Sequence, residues 1–258
     1  MSNQIHPLAC VSPAAELGSG NVIGPFAVIE ADAILGDNNR IAAHAVIKAY
    51  TRMGNDNQVF EQAVIGGLPQ DLSFASDTPT YVEIGSHNIF REAVTIHRAT
   101  RAGAATLLGD HCYMMAYTHF AHDCVVGNHV ILANVANVGG HVHVGDRAFL
   151  AGGVVVHQFC HIGRNAMIGG NTKVTQDVLP YMLVDGNPAR VRGLNLVGLK
   201  RAGFSRDDLR ALKTAFRQLF SSGDALAEQM AALAGQDNPH VQHLLACVQA
   251  STRGFHRH

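Results

Sequence analysis

The sequence predicts a mainly β chain: a parallel β-helix of six-residue rungs followed by a small C-terminal α-helical domain. Three observations carry this. First, an aliphatic residue or Phe120 returns at every sixth position from Leu108 through Met114, Phe120, Val126, Leu132, Val138, Val144, Leu150, Val156, Ile162 and Ile168 to Val174. Second, the residue after each mark is usually small, as at Gly109, Gly127, Gly139, Gly145, Gly163 and Gly169, and the fifth of each set is often Ala, Val, Thr or Cys. Third, beyond Val174 the apolar period turns helical. Six is neither a helical nor a hairpin period. Each hexad therefore reads as one short strand plus a turn, with three hexads closing a triangular coil. The mark points inward and the small neighbour lets the chain turn. One coil cannot bury its apolar edge alone, so coils stack about 4.8 Å apart through backbone hydrogen bonds.

The marks begin at once, at Ile5, Val11, Leu17, Ile23, Ile29, Leu35, Ile41, Ile47, Met53, Val59 and Ile65. They lapse over residues 66–83, whose Gly, Pro, Ser and Asp content predicts a loop thrown out of the prism; loops this long are usually functional or mobile. Ile84, Phe90 and Ile96 follow, then a second loop at about 97–107. The total is 26 hexads, between eight and nine coils, for a prism roughly 40 Å long. The β-helix is assigned to residues 1–186 and the helical domain to 187–258, the boundary lying in the Gly- and Pro-containing stretch Gly186–Gly193. In the helical part, Ser205 with Asp208 is a capping box opening a segment whose Leu209, Leu212, Phe216, Leu219 and Phe220 form one apolar stripe. A further helix is expected from Gly223 or Asp224, and Asn238-Pro239 opens a last one.

Composition narrows the function. No run approaches the ~18 uninterrupted apolar residues of a membrane span, and no basic-then-apolar leader precedes the first hexads, so a soluble, cytoplasmic protein is expected. Five scattered cysteines without a C-x-x-C pair read as reduced fillers in or near the prism. The net charge of −1 argues against nucleic acid as the main partner. Residues 1–189, however, hold 9 Lys and Arg against 15 Asp and Glu, while 190–258 hold 10 against 5. A basic module on an acidic body suggests an acidic partner or a phosphate ligand near the tail.

The 16 histidines inform by their place in the register. Phe120, Val138 and Val156 begin hexads on one side of the prism, which puts His122, His141 and His157 on successive coils along one edge, with His119 just before the turn into it. If the second loop preserves the phase, His97 lies one layer earlier. Three readings remain open. Asp123 can hold one nitrogen of His122 so that the other accepts a proton near neutral pH. His119 and His122 are spaced H-x-x-H, as in a metal site, although no Cys or carboxylate stands at the spacing expected to complete a three-ligand zinc set. Or the imidazoles simply fill solvent-facing corners. The two long loops beside the column argue against a purely structural scaffold.

The strings IFREAVTIHRAT (Ile89–Thr100), THFAHDCVVGNHVILAN (Thr118–Asn134), GGHVHVGD (Gly139–Asp146), VHQFCHIG (Val156–Gly163), VTQDVLPY (Val174–Tyr181), LNLVGLKRAGFSR (Leu194–Arg206) and STRG (Ser251–Gly254) resemble the acyl-carrier-protein-dependent UDP-N-acetylglucosamine acyltransferases of lipid A biosynthesis. The resemblance covers essentially the whole chain. It implies a left-handed β-helix, departing from the usual right-handed crossover, and a homotrimer with active sites between subunits. It implies transfer of a 3-hydroxyacyl chain from acyl carrier protein to the sugar 3-hydroxyl, with no cofactor. His122 matches the general base, Asp123 its orienting carboxylate and Gly140 the oxyanion donor. His119, His141 and His157 match positions that hold sugar or acyl groups; Gln158, Gln70 and Asp71 match contacts to the nucleotide sugar. Asn195 and Arg201 match the uridine and phosphate region, and Gly170 matches the residue limiting acyl length, where a hydrogen side chain leaves room for a long chain. The basic helices would meet the acidic carrier protein.

Besides Ala99, where a glycine is usual, three positions depart from the family pattern. Ser73 stands for a lysine in the first loop, Val197 for an acidic residue, and Ala202 for an arginine. These leave open N-acylation of a 3-amino sugar as an alternative. A zinc-dependent trimer like the hexapeptide carbonic anhydrases is a more distant one.

Overall fold

The computed structural model describes residues 2–257. Each of the 26 sequence marks lies in a short strand and is its last residue except at Ile65 and Ile96, and these strands fall into three parallel ladders. Partners stand 18 residues apart, as in Val22↔Arg40 and Val138↔Val156, which is three hexads. The offset opens to 31 across the first loop, as in Gln58↔Ile89, and to 24 across the second, as in Thr95↔His119. The second excess equals one hexad, so Ile96 pairs with Phe120 and the phase is preserved. The two loops are shorter than the lapses in the marks. Strands Val64–Gly67 and Tyr81–Ile84 flank the first, and Thr95–His97 and Ala105–Leu108 the second. The returning strands lengthen to four residues because both coils loop out together and pair with each other from Tyr81↔Ala105 to Ile84↔Leu108.

From Ile23 to Val174 every mark is buried, while Ile5, in a first coil with a neighbour on one side only, is 46% exposed. The fifth residues also face inward; Ala27, Ala45, Ala63, Cys124, Ala136 and Ala166 are fully buried. Cys112, Cys124 and Cys160 are fillers of this kind, whereas Cys10 is exposed on an outward face and Cys247 lies on the last helix. The turn has a different origin from the one the sequence suggested. The residue in the left-handed region stands three after the mark, as at Asp32, His44, Asp123, His141 and Asn165, with φ near 60°. Its N–H donates to a carbonyl of the coil before, as in His141 to His122 (3.0 Å) and Arg147 to Asn128 (2.8 Å), which offsets a left-handed cost of about 1–2 kcal/mol. The small residue after the mark is needed for close approach instead: a Cβ on Gly145 would stand 2.6 Å from the Arg164 nitrogen.

Beyond the last mark the chain does not turn helical at once. Strands Met182–Asp185 and Arg190–Leu194 form an antiparallel hairpin that extends the ladder of Met167–Ile168, so residues 186 and 187 lie within its turn. Among the described residues four helices follow: α1 (Leu196–Arg201), α2 (Arg206–Ser221), α3 (Leu226–Leu233) and α4 (Pro239–Ala250). The Ser205–Asp208 capping box is present in both directions, and Asn238 caps α4 through the His240 and Val241 N–H groups. Asn238 also donates to Asp208 (2.7 Å), tying the two helix starts together. α3 begins after Ala225 without a side-chain cap, later than Gly223 or Asp224. Among the described residues no helix is long and apolar enough to cross a membrane.

Candidate active site

The corner after strand His119–Phe120 gathers the histidines. The coil fixes which groups are free there. In the rung begun by Val138 the N–H one residue after the mark and the N–H three after it bond to neighbouring coils, and the one between them is spare; elsewhere that middle N–H finds a side chain, as Asp110 N finds Asn128 Oδ1. Ala121 N donates to Val138 O and Gly139 N to Val156 O, while His141 N is taken by His122 O. Gly140 occupies the spare position, and its N–H has no acceptor among the described residues. The His122 ring lies against this same glycine: a Cβ at 140 would stand 2.6 Å from its Cε1 and 2.9 Å from its Nε2.

His122 Nδ1 and Asp123 Oδ2 are 2.8 Å apart, with side chains only 14% and 13% exposed. The same carboxylate accepts from the Thr100 hydroxyl (2.7 Å) and the Thr100 N–H (3.1 Å), and the Asp123 N–H donates to Thr106 Oγ1 (2.8 Å). Burial alone would raise the Asp123 pKa, but the hydrogen bonds from Thr100 and His122 outweigh it and hold the carboxyl below its ordinary range. An ionised Asp123 accepts only, so the His122 proton sits on Nδ1 and Nε2 is left as an acceptor. Thr100 and Thr106 were not singled out in the sequence. Both come from the second loop and the strand after it, and only the string IHRAT pointed toward the first.

His141 stands edge-on to His122 (centroids 5.2 Å) and stacks on Phe159 (4.5 Å). His119 takes Thr95 Oγ1 at 2.7 Å and packs edge-on to His97 (4.7 Å). His97, 8% exposed, is pushed down to about 4 by burial and by the neighbouring His119 and His122. Burial also lowers His119. In the first loop, Asp71 accepts from the Ser73 N–H (2.8 Å) and hydroxyl (2.7 Å), and these bonds lower its pKa; His122 and His141 add smaller contributions, placing Asp71 within their electrostatic reach. Gln70 is exposed on that loop.

A carboxylate does complete a three-ligand group, contrary to the spacing argument: ligand atoms of His122, Asp123 and His141 lie within 4.8 Å of one another. Linear spacing missed it because His141 arrives from the next coil. Asp123 Oδ2 already accepts from Thr100 and faces the His122 Nδ1 proton, an arrangement that orients an imidazole.

The remaining predicted residues lie elsewhere. His157 and Gln158 are exposed one coil on, and His157 Nδ1 meets Arg253 Nη2 at 3.0 Å. Asn195 and Arg201 line a cavity of about 530 Å³ with Arg147, Phe149, Met167 and Val197. Asn195 is partly committed there, capping α1 through the Gly198 N–H (3.0 Å) and donating to Asn165 O (2.9 Å). Gly170 sits where a Cβ would meet only Gly152 O, at 3.4 Å. None of the cavity's residues belongs to the histidine corner.

A hexapeptide prism with a carboxylate-held imidazole at one corner defines the class, a hexapeptide-repeat acyltransferase. Residues 3–49 match the bacterial transferase hexapeptide family (six repeats), and residues 177–256 match domain 2 of the UDP-N-acetylglucosamine O-acyltransferases. The acyl-(acyl-carrier-protein)–UDP-N-acetylglucosamine O-acyltransferase of Alkalilimnicola ehrlichii is 47% identical over 98% of this chain and 99% of its own. That of Thermodesulfovibrio yellowstonii is 43% identical over 99% and 100%. The solved UDP-N-acetylglucosamine acyltransferase of Bacteroides fragilis superposes with a TM-score of 0.95 at 35% identity, over 98% of this chain and 99% of its own. The chain belongs to the acyl-carrier-protein–UDP-N-acetylglucosamine O-acyltransferase family.

Proposed function

We propose that this protein transfers a 3-hydroxyacyl chain from acyl carrier protein to the 3-hydroxyl of UDP-N-acetylglucosamine, the first step of lipid A biosynthesis. It acts in the cytoplasm as a homotrimer. The observation that carries the reading is the 2.8 Å contact between His122 Nδ1 and an Asp123 carboxylate that Thr100 keeps ionised. With Nδ1 so engaged, Nε2 takes the proton of the sugar hydroxyl as its oxygen attacks the thioester carbonyl. The spare Gly140 N–H donates to the oxyanion, a contribution of roughly 3 kcal/mol when such a donor is lost. Collapse breaks the C–S bond and returns the proton from His122 to the departing sulfur. His119 and His141 flank the reacting atoms, while Gln70, Asp71, His157 and Gln158 hold the sugar and acyl groups.

Separation of the histidine corner from the Asn195 and Arg201 cavity supports the trimer, because apposed prisms can bring one subunit's cavity to its neighbour's corner. In this division residues 1–186 carry the chemistry and 187–258 the phosphate and carrier-protein contacts. Gly170, open above Gly152, admits a long acyl chain. The test is an assay with a series of 3-hydroxyacyl carrier proteins and both the 3-hydroxy and 3-amino UDP sugars. His122→Ala is expected to abolish transfer while the oligomer stays intact; retained activity removes His122 from the mechanism.

A further inference from the structure

The segment after α4 runs back across the last coil and closes it. Ser251 Oγ donates to Asp177 Oδ2 (2.7 Å), Asp177 N to Gly254 O (2.9 Å), and His256 N to Asp177 O (2.9 Å). His256 Nε2 receives the N–H groups of Thr175 and Gln176, both at 3.2 Å, and Phe255 and His256 are buried. A coil edge otherwise left unpaired is thereby capped. From this strap one exposed side chain reaches back toward the substrate-binding edge. Arg253 Nε donates to Thr175 O (2.9 Å) and its Nη2 lies 3.0 Å from His157 Nδ1.

His157 Nδ1 has two neighbours that make opposite demands. Gln158 O, at 3.0 Å, calls for a proton on Nδ1. A guanidinium has donors only and keeps its charge throughout the working pH range, so it calls for a lone pair there. The charge-assisted bond from a side chain already anchored on Thr175 is the stronger of the two. We propose that Arg253 is a positioning residue that, by donating to Nδ1, keeps the ring proton of His157 on Nε2, so that His157 offers substrate a fixed hydrogen-bond donor. The consequence for turnover rests on the acyl-transfer reading; the tautomer does not.

Two measurements test this. In protein carrying 15N-labelled histidine, the resonances lost in His157→Phe identify His157, which is expected as the Nε2–H form and to gain Nδ1–H population in Arg253→Met. Should Arg253→Met fail to fold, Arg253→Lys keeps the cation but cannot span Thr175 O and His157 together, and the same gain is expected. An unchanged spectrum overturns the proposal. In steady-state assays Arg253→Met is expected to raise KM for the nucleotide sugar about tenfold with kcat within about twofold, as when a bond made equally in ground and transition states is lost. In a His157→Phe background the same substitution should change KM less than about twofold. Equal effects in both backgrounds overturn the coupling. If the unsubstituted protein transfers no acyl group, the functional reading falls and the nitrogen spectrum alone decides the role of Arg253.

Discussion

At Gly140 the missing side chain serves two ends that substitution can separate. The Gly140 N–H has no acceptor among the described residues, and the bare α-carbon gives the His122 ring its seat, since a Cβ would come within 2.6 Å of Cε1. Gly140→Ala keeps the donor and pushes the ring. Displacing a base by a fraction of an ångström to 1 Å costs on the order of a hundredfold in rate, so kcat should fall by about that factor with the melting temperature little changed. Asp123→Asn probes the other side of the ring. With its oxygen toward His122, the amide turns its NH₂ group toward the Thr100 N–H; flipped, it presents a donor to Nδ1 and selects the wrong tautomer. Either orientation loses a bond, and kcat is expected to drop about 10³-fold, measured as single-turnover acyl transfer. The adjacency of His122 and Asp123 was legible in the sequence, as was their meeting with His141 once the hexads were counted. Thr100 was not, because it reaches Asp123 from a loop whose path has no period.

At the scale of an element, the strands are too short to hold by pairing alone, and buried side chains fasten one rung to the next. Asn21, Asn39, Asn57 and Asn88 are all fully buried at the fifth position of stacked hexads. The Asn57 N–H donates to Asn39 Oδ1 (2.9 Å), its Nδ2 to Gly85 O (3.0 Å), and its Oδ1 accepts the Asn88 N–H (2.9 Å). Asn57→Ala strands the Gly85 carbonyl and the Asn88 N–H in the core, where each unsatisfied group costs about 1–3 kcal/mol. A loss of about 3 kcal/mol is expected in urea unfolding, and a change under 1 kcal/mol would mean that water enters the ladder. These asparagines recur at 18 residues, then at 31 where the loop intervenes, so the ladder was readable once the offset was known. The hairpin over Met182–Leu194 was not readable: its pairing is set by contact with Met167–Ile168 and breaks the six-residue count.

For the whole molecule, the distribution of desolvated imidazoles fixes how stability responds to acid. Among the described residues seven histidines, His97, His119, His129, His143, His240, His243 and His256, are held below their ordinary pKa, in each case chiefly by desolvation. They come from the prism, the helices and the strap alike, so the effect belongs to no single part. A base depressed in the folded state is neutral there and takes up a proton on unfolding, so its contribution is complete above 6.5 and is lost as pH falls toward the folded value. For His97, at about 4 when folded, the difference spans pH 6.5 to 4. It should remove on the order of 2 kcal/mol by pH 5. Glu30 and Asp123 are also held low and their loss has the same sign, but it begins only near their unfolded values, at about pH 4. The decline should therefore start in the histidine window, well before any carboxylate is protonated. Unfolding free energies at fixed protein concentration, compared at pH 7.5 and 5, are expected to differ by about 2 kcal/mol less in His97→Gln than in the unsubstituted chain. If the two lose equal stability over that range, His97 is protonated without penalty in the folded protein, and its seat between Gly67 and His119 is wetter than an exposure of 8% implies.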